Sequence, residues 1–164
     1  MGILHTYGAT VRWTGAGEAG TSSYTAYSRD HEIHAEGRPP LLGSSDPAFR
    51  GDPERWNPEQ LLVAALAQCH MLWFLHLAAR AGVVVVGYVD EPVGTMRVEA
   101  AGAGQFTTVV LRPRVTVRAT RPVDDAELAA LHRGAGEHCF ISRSVNFPVR
   151  TEPVPLAVEP SVLR

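Results

Sequence analysis

Asn57-Pro58-Glu59-Gln60-Leu61-Leu62-Val63-Ala64-Ala65-Leu66-Ala67-Gln68-Cys69-His70-Met71-Leu72-Trp73-Phe74-Leu75-His76-Leu77-Ala78-Ala79-Arg80-Ala81-Gly82 is the stretch that decides the fold. Asn57 supplies an N-cap, Pro58 the favoured first helical position, and Glu59 a negative charge at the positive end of the dipole. Leu62, Ala65, Leu66, Cys69, Leu72, Trp73 and His76 recur at three- and four-residue spacings, and Gly82 ends the run after Arg80. The positions between them are also largely apolar, so the helix at 57–82 belongs at the centre of the molecule, covered on several sides. Gln68, His70, His76 and Arg80 interrupt it, leaving less than the roughly 20 apolar residues that crossing a bilayer requires. No membrane partner is expected.

Outward from this helix the pattern is β-rich. On the N-terminal side Thr6 to Trp13 alternates as a strand, Gly15 to Gly20 makes a turn, and Ser22 to Tyr27 reads as the return strand of a hairpin. A short strand at His31 to Ala35 leads into a loop from Gly37 to Trp56 with four prolines, whose Leu41, Leu42, Phe49 and Trp56 predict that it packs down. On the C-terminal side, strands are expected at Val83–Val89, Gly94–Ala100 and Phe106–Ala119. A short helix follows from Asp124 or Asp125 to about His138, then a strand at Ile141–Val149 and a loop-like tail. The reading is an α+β fold with antiparallel meanders around a long central helix. It forms one domain over 1–164, divided into a β-hairpin region (1–56), the central helix (57–82), a second β/α half (83–150) and a tail (151–164).

The 164 residues are 45% hydrophobic and 20% charged, enough for one core without disulfide staples. Fifteen basic against seventeen acidic residues leave a charge of −2, which gives no positive field for a phosphate backbone, so nucleic acid is excluded as a partner. The absence of a charged n-region followed by an apolar h-region leads to the expectation of a cytoplasmic, reducing location. Gly15-Ala16-Gly17-Glu18-Ala19-Gly20 matches a dinucleotide fingerprint formally, but it is followed by Thr-Ser-Ser-Tyr-Thr and not by a helix start. No metal is expected either: Cys69-His70 and His138-Cys139 are adjacent pairs pointing about 100° apart on a helix, unable to chelate one ion. No cofactor is called for.

The chemistry falls to the two cysteines. A thiol with an ordinary pKa near 8.5 is only about 3% ionised at pH 7 and needs a nearby cation to become a nucleophile. The long loop offers Arg38, Arg50 and Arg55, and Glu59 can hold one guanidinium in a fixed pose. Glu59 and Cys69 lie ten residues apart on one helix, about 15 Å along its axis, whereas a Glu side chain reaches only about 4 to 5 Å. If they share a site, the carboxylate and with it the arginine it holds are expected from a second subunit, which predicts an obligate, isologous homodimer. His31 and His34 are expected to be exposed or locally bonded, His70 and His76 to be core or interface residues, and His138 to be placed where it could tune Cys139.

Asn57-Pro58-Glu59-Gln60-Leu61-Leu62 with Ala64-Ala65 and Cys69, and Cys139 followed by Ser142, resemble the two signature segments of the OsmC/Ohr family of thiol-dependent hydroperoxide reductases. Phe49-Arg50-Gly51 is similar to the arginine segment of the OsmC branch, while Arg29-Asp30 sits at nearly the distance from the cysteine that the Ohr branch uses. Arg55-Trp56 and Phe140 depart from the common pattern and place the chain in a side branch. The resemblance implies an OsmC-like fold and an intertwined homodimer. It also implies a peroxidase in which Cys69 is the reacting thiolate, Arg50 or Arg29 its activator, Glu59 the orienting carboxylate and Cys139 the second redox cysteine. The expected partners are an organic hydroperoxide as substrate and a small dithiol or dithiol protein as reductant. Two other readings stand beside it. One is a non-catalytic homodimer that binds a hydrophobic small molecule in the interface groove; the other, an acyl hydrolase, lacks a Gly-x-Ser-x-Gly.

Overall fold

The computed structural model describes residues 2–160; Met1 and residues 161–164, the end of the expected tail, lie outside it. The chain divides into two compact units, Met1–Leu61 and Leu62–Arg164, so the boundary falls in the first turn of the long helix.

The first unit is built on one antiparallel sheet, β1 (Thr10–Trp13), β2 (His31–His34) and β3 (Leu41–Gly43), in the order β1-β2-β3. Here the expected hairpin is corrected: β1 pairs with His31–His34, Trp13 opposite His31 and Thr10 opposite His34, while Ser22–Tyr27 is a loop of turns. Side chains have taken the hydrogen bonds a strand would need. The Arg29 guanidinium donates to the Tyr27 and Tyr24 carbonyls at 2.7 and 2.8 Å, and the Trp13 indole N–H donates to the Ser28 carbonyl at 2.9 Å. β3 is followed by a 3-10 turn, Pro47–Phe49, capped by the Asp46 side chain.

Helix α1 (Pro58–Arg80) starts where the sequence places it. The Asn57 Oδ1 accepts from the Gln60 N–H at 2.7 Å and the Gln60 Oε1 accepts from the Asn57 N–H at 3.2 Å, a reciprocal capping box. At the other end Gly82 takes φ +70°. The Val83 N–H reaches the Ala78 carbonyl and the Gly82 N–H that of Ala79, the Schellman closure that a left-handed glycine permits.

The second unit adds β4 (Val85–Asp90), β5 (Val93–Val98), β6 (Gly104–Leu111), β7 (Pro113–Arg118), α2 (Asp125–His138), β8 (Val149–Thr151) and β9 (Ala157–Glu159). They form two sheets, β4-β7-β9 and β5-β6-β8. The single strand expected over Phe106–Ala119 is two strands in different sheets, broken at Pro113, which has no N–H to give a ladder. The Arg112 N–H is satisfied by the Asp90 carboxylate at 2.7 Å. Burial nevertheless alternates through the break, with Leu111, Pro113, Val115 and Val117 buried. Only Val149–Thr151 of the segment past Ile141 is strand, and the tail contributes β9. The pairings β6–β8 and β7–β9 are parallel, a topology reached through the α2 crossover and added to the antiparallel meanders.

The α1 face in this unit supplies both cores. Phe74 and Ala78 pack with Val83, Val115, Val117, Leu128 and Ala135, and Leu66 and Ala67 pack with Val109 and Leu111. By length and composition α1 could cross a membrane, but these residues place it as the core helix of an α+β fold.

Candidate functional site

The two cysteines, seventy residues apart, meet. Cys69 is half-buried on α1 and Cys139 is buried; both are free thiols. They lie within hydrogen-bonding reach of one another. Cys139 occupies the C-cap of α2 with φ −64° and ψ 110°, so the helix ends by turning its side chain inward. The chain then enters a 3-10 turn, Ser142–Ser144, whose first N–H donates to the Cys139 sulfur at 3.3 Å. Burial, followed by the hydrogen bond to Cys69, pushes the Cys139 thiol up from its ordinary value, and the Ser142 N–H opposes the shift only in part. Cys139 therefore keeps its proton near neutral pH. It is also the less accessible of the two thiols.

Along α1 from Cys69, an open cavity of about 250 Å³ is lined by Leu72, Trp73 and His76. Trp73 is ringed by His76, His138 and Phe140, with ring centroids 5.6, 5.0 and 5.6 Å away. His138 and Phe140 flank Cys139 in sequence, so the second thiol and the aromatic wall arrive on one segment. Leu72 is 60% and Phe140 66% exposed. Leu66, by contrast, is wholly buried in the core and offers no surface to a ligand.

In the first unit the two candidate arginines converge on one ring. The Arg29 guanidinium lies 4.4 Å from the Tyr24 centroid and 4.2 Å from that of Tyr27, with its two terminal nitrogens already spent on carbonyls. The Arg50 guanidinium lies over the same Tyr24 ring, 6.0 Å from its centroid. Its own backbone is left-handed, φ 66°, a conformation that costs a non-glycine residue about 1 kcal/mol. A Cβ at Gly51 would run into the Ser45 carbonyl, so the loop presenting Arg50 admits only glycine next to it. Arg55 is engaged by Asp52 and Asp30 at 3.4 and 3.8 Å. Glu59 is half-buried in the first turn of α1 and has no ion pair among the described residues.

His31 and His34 are locally bonded, to the Arg29 carbonyl and to Glu32. His70 is a core residue, and its partner is one that sequence reasoning missed. The His70 Nε2 lies 3.1 Å from the His132 Nδ1. The available signal was the stripe Leu128, His132, Ala135 at four- and three-residue spacing, which puts an imidazole on the buried face of α2. No cluster of metal-ligating side chains occurs among the described residues.

The sequence matches the family model described as OsmC-like protein over residues 51–153. Among solved structures, an OsmC-like protein of unknown function from Vibrio cholerae is similar at 35% identity and TM-score 0.83, over 92% of this chain and 100% of that one. An organic hydroperoxide resistance protein from Elizabethkingia anophelis shares the fold at 16% identity and TM-score 0.69, over 97% and 100% of the two chains. One from Legionella pneumophila does so at 18% identity and TM-score 0.66, over 96% and 98%. Among curated proteins no relative of the sequence is found.

Proposed function

The chain belongs to the OsmC-like protein family, and from that premise we propose that it is a thiol-dependent peroxidase that reduces organic hydroperoxides to alcohols. The observation that carries the reading is the pair of free thiols, one accessible and one buried, brought within hydrogen-bonding reach on two different helices. A pair of cysteines serving only as packing would not need a sulfur accepting from Ser142 at the end of a helix that stops there.

In the proposed cycle the Cys69 thiolate attacks one oxygen of the hydroperoxide and the O–O bond breaks. The alkoxide leaves and takes up a proton to become the alcohol, and Cys69 becomes a sulfenic acid. Cys139 then attacks the Cys69 sulfur; the S–O bond breaks, water departs with the Cys139 proton, and a disulfide forms. A dithiol, small or on a protein, reduces it by exchange, as a cytoplasmic setting would supply. Arg50 is the better activator, because Arg29 has its nitrogens on two carbonyls and its faces on two tyrosines, whereas Arg50 is exposed and carries no ion pair among the described residues. Glu59 orients that guanidinium, and the two together face the thiol of the partner subunit across the interface of a homodimer. The exposed apolar residues Leu72 and Phe140, and a Glu59 that has no ion pair among the described residues, support this assembly. Leu72, Trp73 and His76 receive the organic tail.

The test is a thiol titration before and after one equivalent of an alkyl hydroperoxide. The peroxidase loses two thiols per chain. A non-catalytic binder of a hydrophobic small molecule, the reading that the open apolar cavity would also suit, keeps both. Cys69→Ser should abolish peroxide consumption with a dithiol donor, and undiminished consumption would exclude Cys69 as the reacting sulfur.

A further inference from the structure

Taking Cys69 and Cys139 as the reacting pair, a premise that rests on the function proposed above, we infer that His70 and His132 are positioning residues whose shared hydrogen bond holds α2 so that Cys139 closes on Cys69. The two imidazoles are 1% and 5% exposed and nearly coplanar, at 8°. They are joined Nε2 to Nδ1 at 3.1 Å, a buried side-chain hydrogen bond between α1 and α2. Phe74 stacks on His132 at 4.3 Å and fixes its plane.

The placement along each helix gives the bond its effect. On α1, His70 follows Cys69 directly, an axial step of about 1.5 Å. On α2, His132 and Cys139 are seven residues apart, which is about 20° short of two full turns and a rise of about 10.5 Å. They therefore lie on nearly the same face of α2. One place on α1 thus grips α2 at two points, two turns apart, and two points fix the direction of a helix where one leaves it free to pivot. The neighbouring contacts of Leu128, Ala135, Phe74 and Ala78 are apolar and tolerate sliding. An N–H···N bond does not, because it weakens steeply when bent.

Two imidazoles sharing one hydrogen bond are a poor choice for stability in such a core, since Leu or Phe would fill the space without burying polar nitrogens. The direction they impose matters because the sulfurs must move from hydrogen-bonding separation to about 2.05 Å with a defined dihedral. Burial lowers both rings to about 4 from the ordinary 6.5. Both are therefore neutral at pH 7, and one donates while the other accepts.

Closure can be timed without any peroxide. Diamide, an azo oxidant, adds to the accessible thiol, and the second thiol then displaces the hydrazine to form the disulfide. Reduced native protein, His132→Leu, His132→Asn and His132→Gln are each mixed with one equivalent of diamide, and adduct formation and ring closure are followed separately by mass spectrometry. We expect adduct formation unchanged and closure slowed about three- to tenfold in His132→Leu. The Asn Oδ1 takes the place of the His Nδ1 and should restore closure to within about twofold of native, whereas Gln, one methylene longer, should not. A general loss of structure would slow both steps alike and would not be rescued by Asn. If His132→Leu does not fold, the Asn and Gln variants make the same comparison. In the native protein, ¹⁵N-labelled histidine should show a scalar coupling between the two ring nitrogens across the bond. The proposal is overturned by closure in His132→Leu within about twofold of native, by equal rates in Asn and Gln, or by an absent coupling. Native protein that closes with diamide yet ignores alkyl hydroperoxide would defeat the peroxidase and leave the positioning pair standing.

Discussion

Each cysteine owes its expected behaviour to its immediate surroundings. Cys139 keeps its proton because it is buried beside another sulfur, which suits a second attacker and not a first. Cys139→Ser should therefore still lose its Cys69 thiol to one equivalent of alkyl hydroperoxide, with a sulfenic acid trappable by dimedone and no disulfide formed. The two arginines separate in the same way. Arg29→Lys gives up two carbonyl bonds and two ring faces, and the protein should lose on the order of 1–2 kcal/mol in urea unfolding. Arg50→Lys should leave the unfolding midpoint within error and lower kcat/KM for an alkyl hydroperoxide by about tenfold or more, because a point charge replaces a planar fork. The buried imidazoles set a pH dependence. Their folded pKa of about 4 lies below the unfolded 6.5, so below pH 6.5 the unfolded chain binds protons that the folded chain refuses. Their contribution is complete above 6.5 and is lost as pH falls toward 4, with a limiting slope of about two protons. Urea midpoints measured across this range should fall steadily, and a flat profile would contradict the buried neutral pair.

At the scale of elements, both helices are held by caps that also aim the chemistry. The reciprocal Asn57–Gln60 bonds fix where α1 begins and hence where Glu59 sits. Asn57→Ala should cost about 1 kcal/mol, measurable as a lower unfolding midpoint. Gly51→Ala tests the loop in a different way. Its Cβ meets backbone, so the segment that presents Arg50 must shift, and peroxidase activity should fall further than stability does. The strand errors have one physical cause. Ser22–Tyr27 has the β-branched and aromatic composition of a strand, but Arg29, fourteen residues downstream of Gly15, takes up the Tyr24 and Tyr27 carbonyls from the side. Phe106–Ala119 reads as one strand because its burial alternates without a break, and only the missing N–H of Pro113 and the Asp90 carboxylate at Arg112 send the two halves into different sheets.

For the whole molecule, the separation of Glu59 and Cys69 along one helix makes the proposed site a property of two chains. Sedimentation should give a particle of twice the 17.7 kDa chain. A mixture of Glu59→Gln and Cys69→Ser copies, each inactive alone, should recover about a quarter of native activity, since half the dimers are mixed and each holds one intact site. No recovery would place both groups in one chain or in no common site. The family, the α+β class and the limits of both helices were legible in the sequence, because caps, helical spacing and the Asn57–Glu59 to Cys69 interval are local and are written within a few turns of chain. The family resemblance pairs Cys139 with Cys69, but the burial of that sulfur against the Ser142 N–H, the bond between His70 and His132, and the exchange of Ser22–Tyr27 for His31–His34 beside β1 were decided only by tertiary structure. Each depends on which distant group arrives to satisfy a sulfur, a ring nitrogen or a carbonyl, and no local periodicity records the identity of that partner.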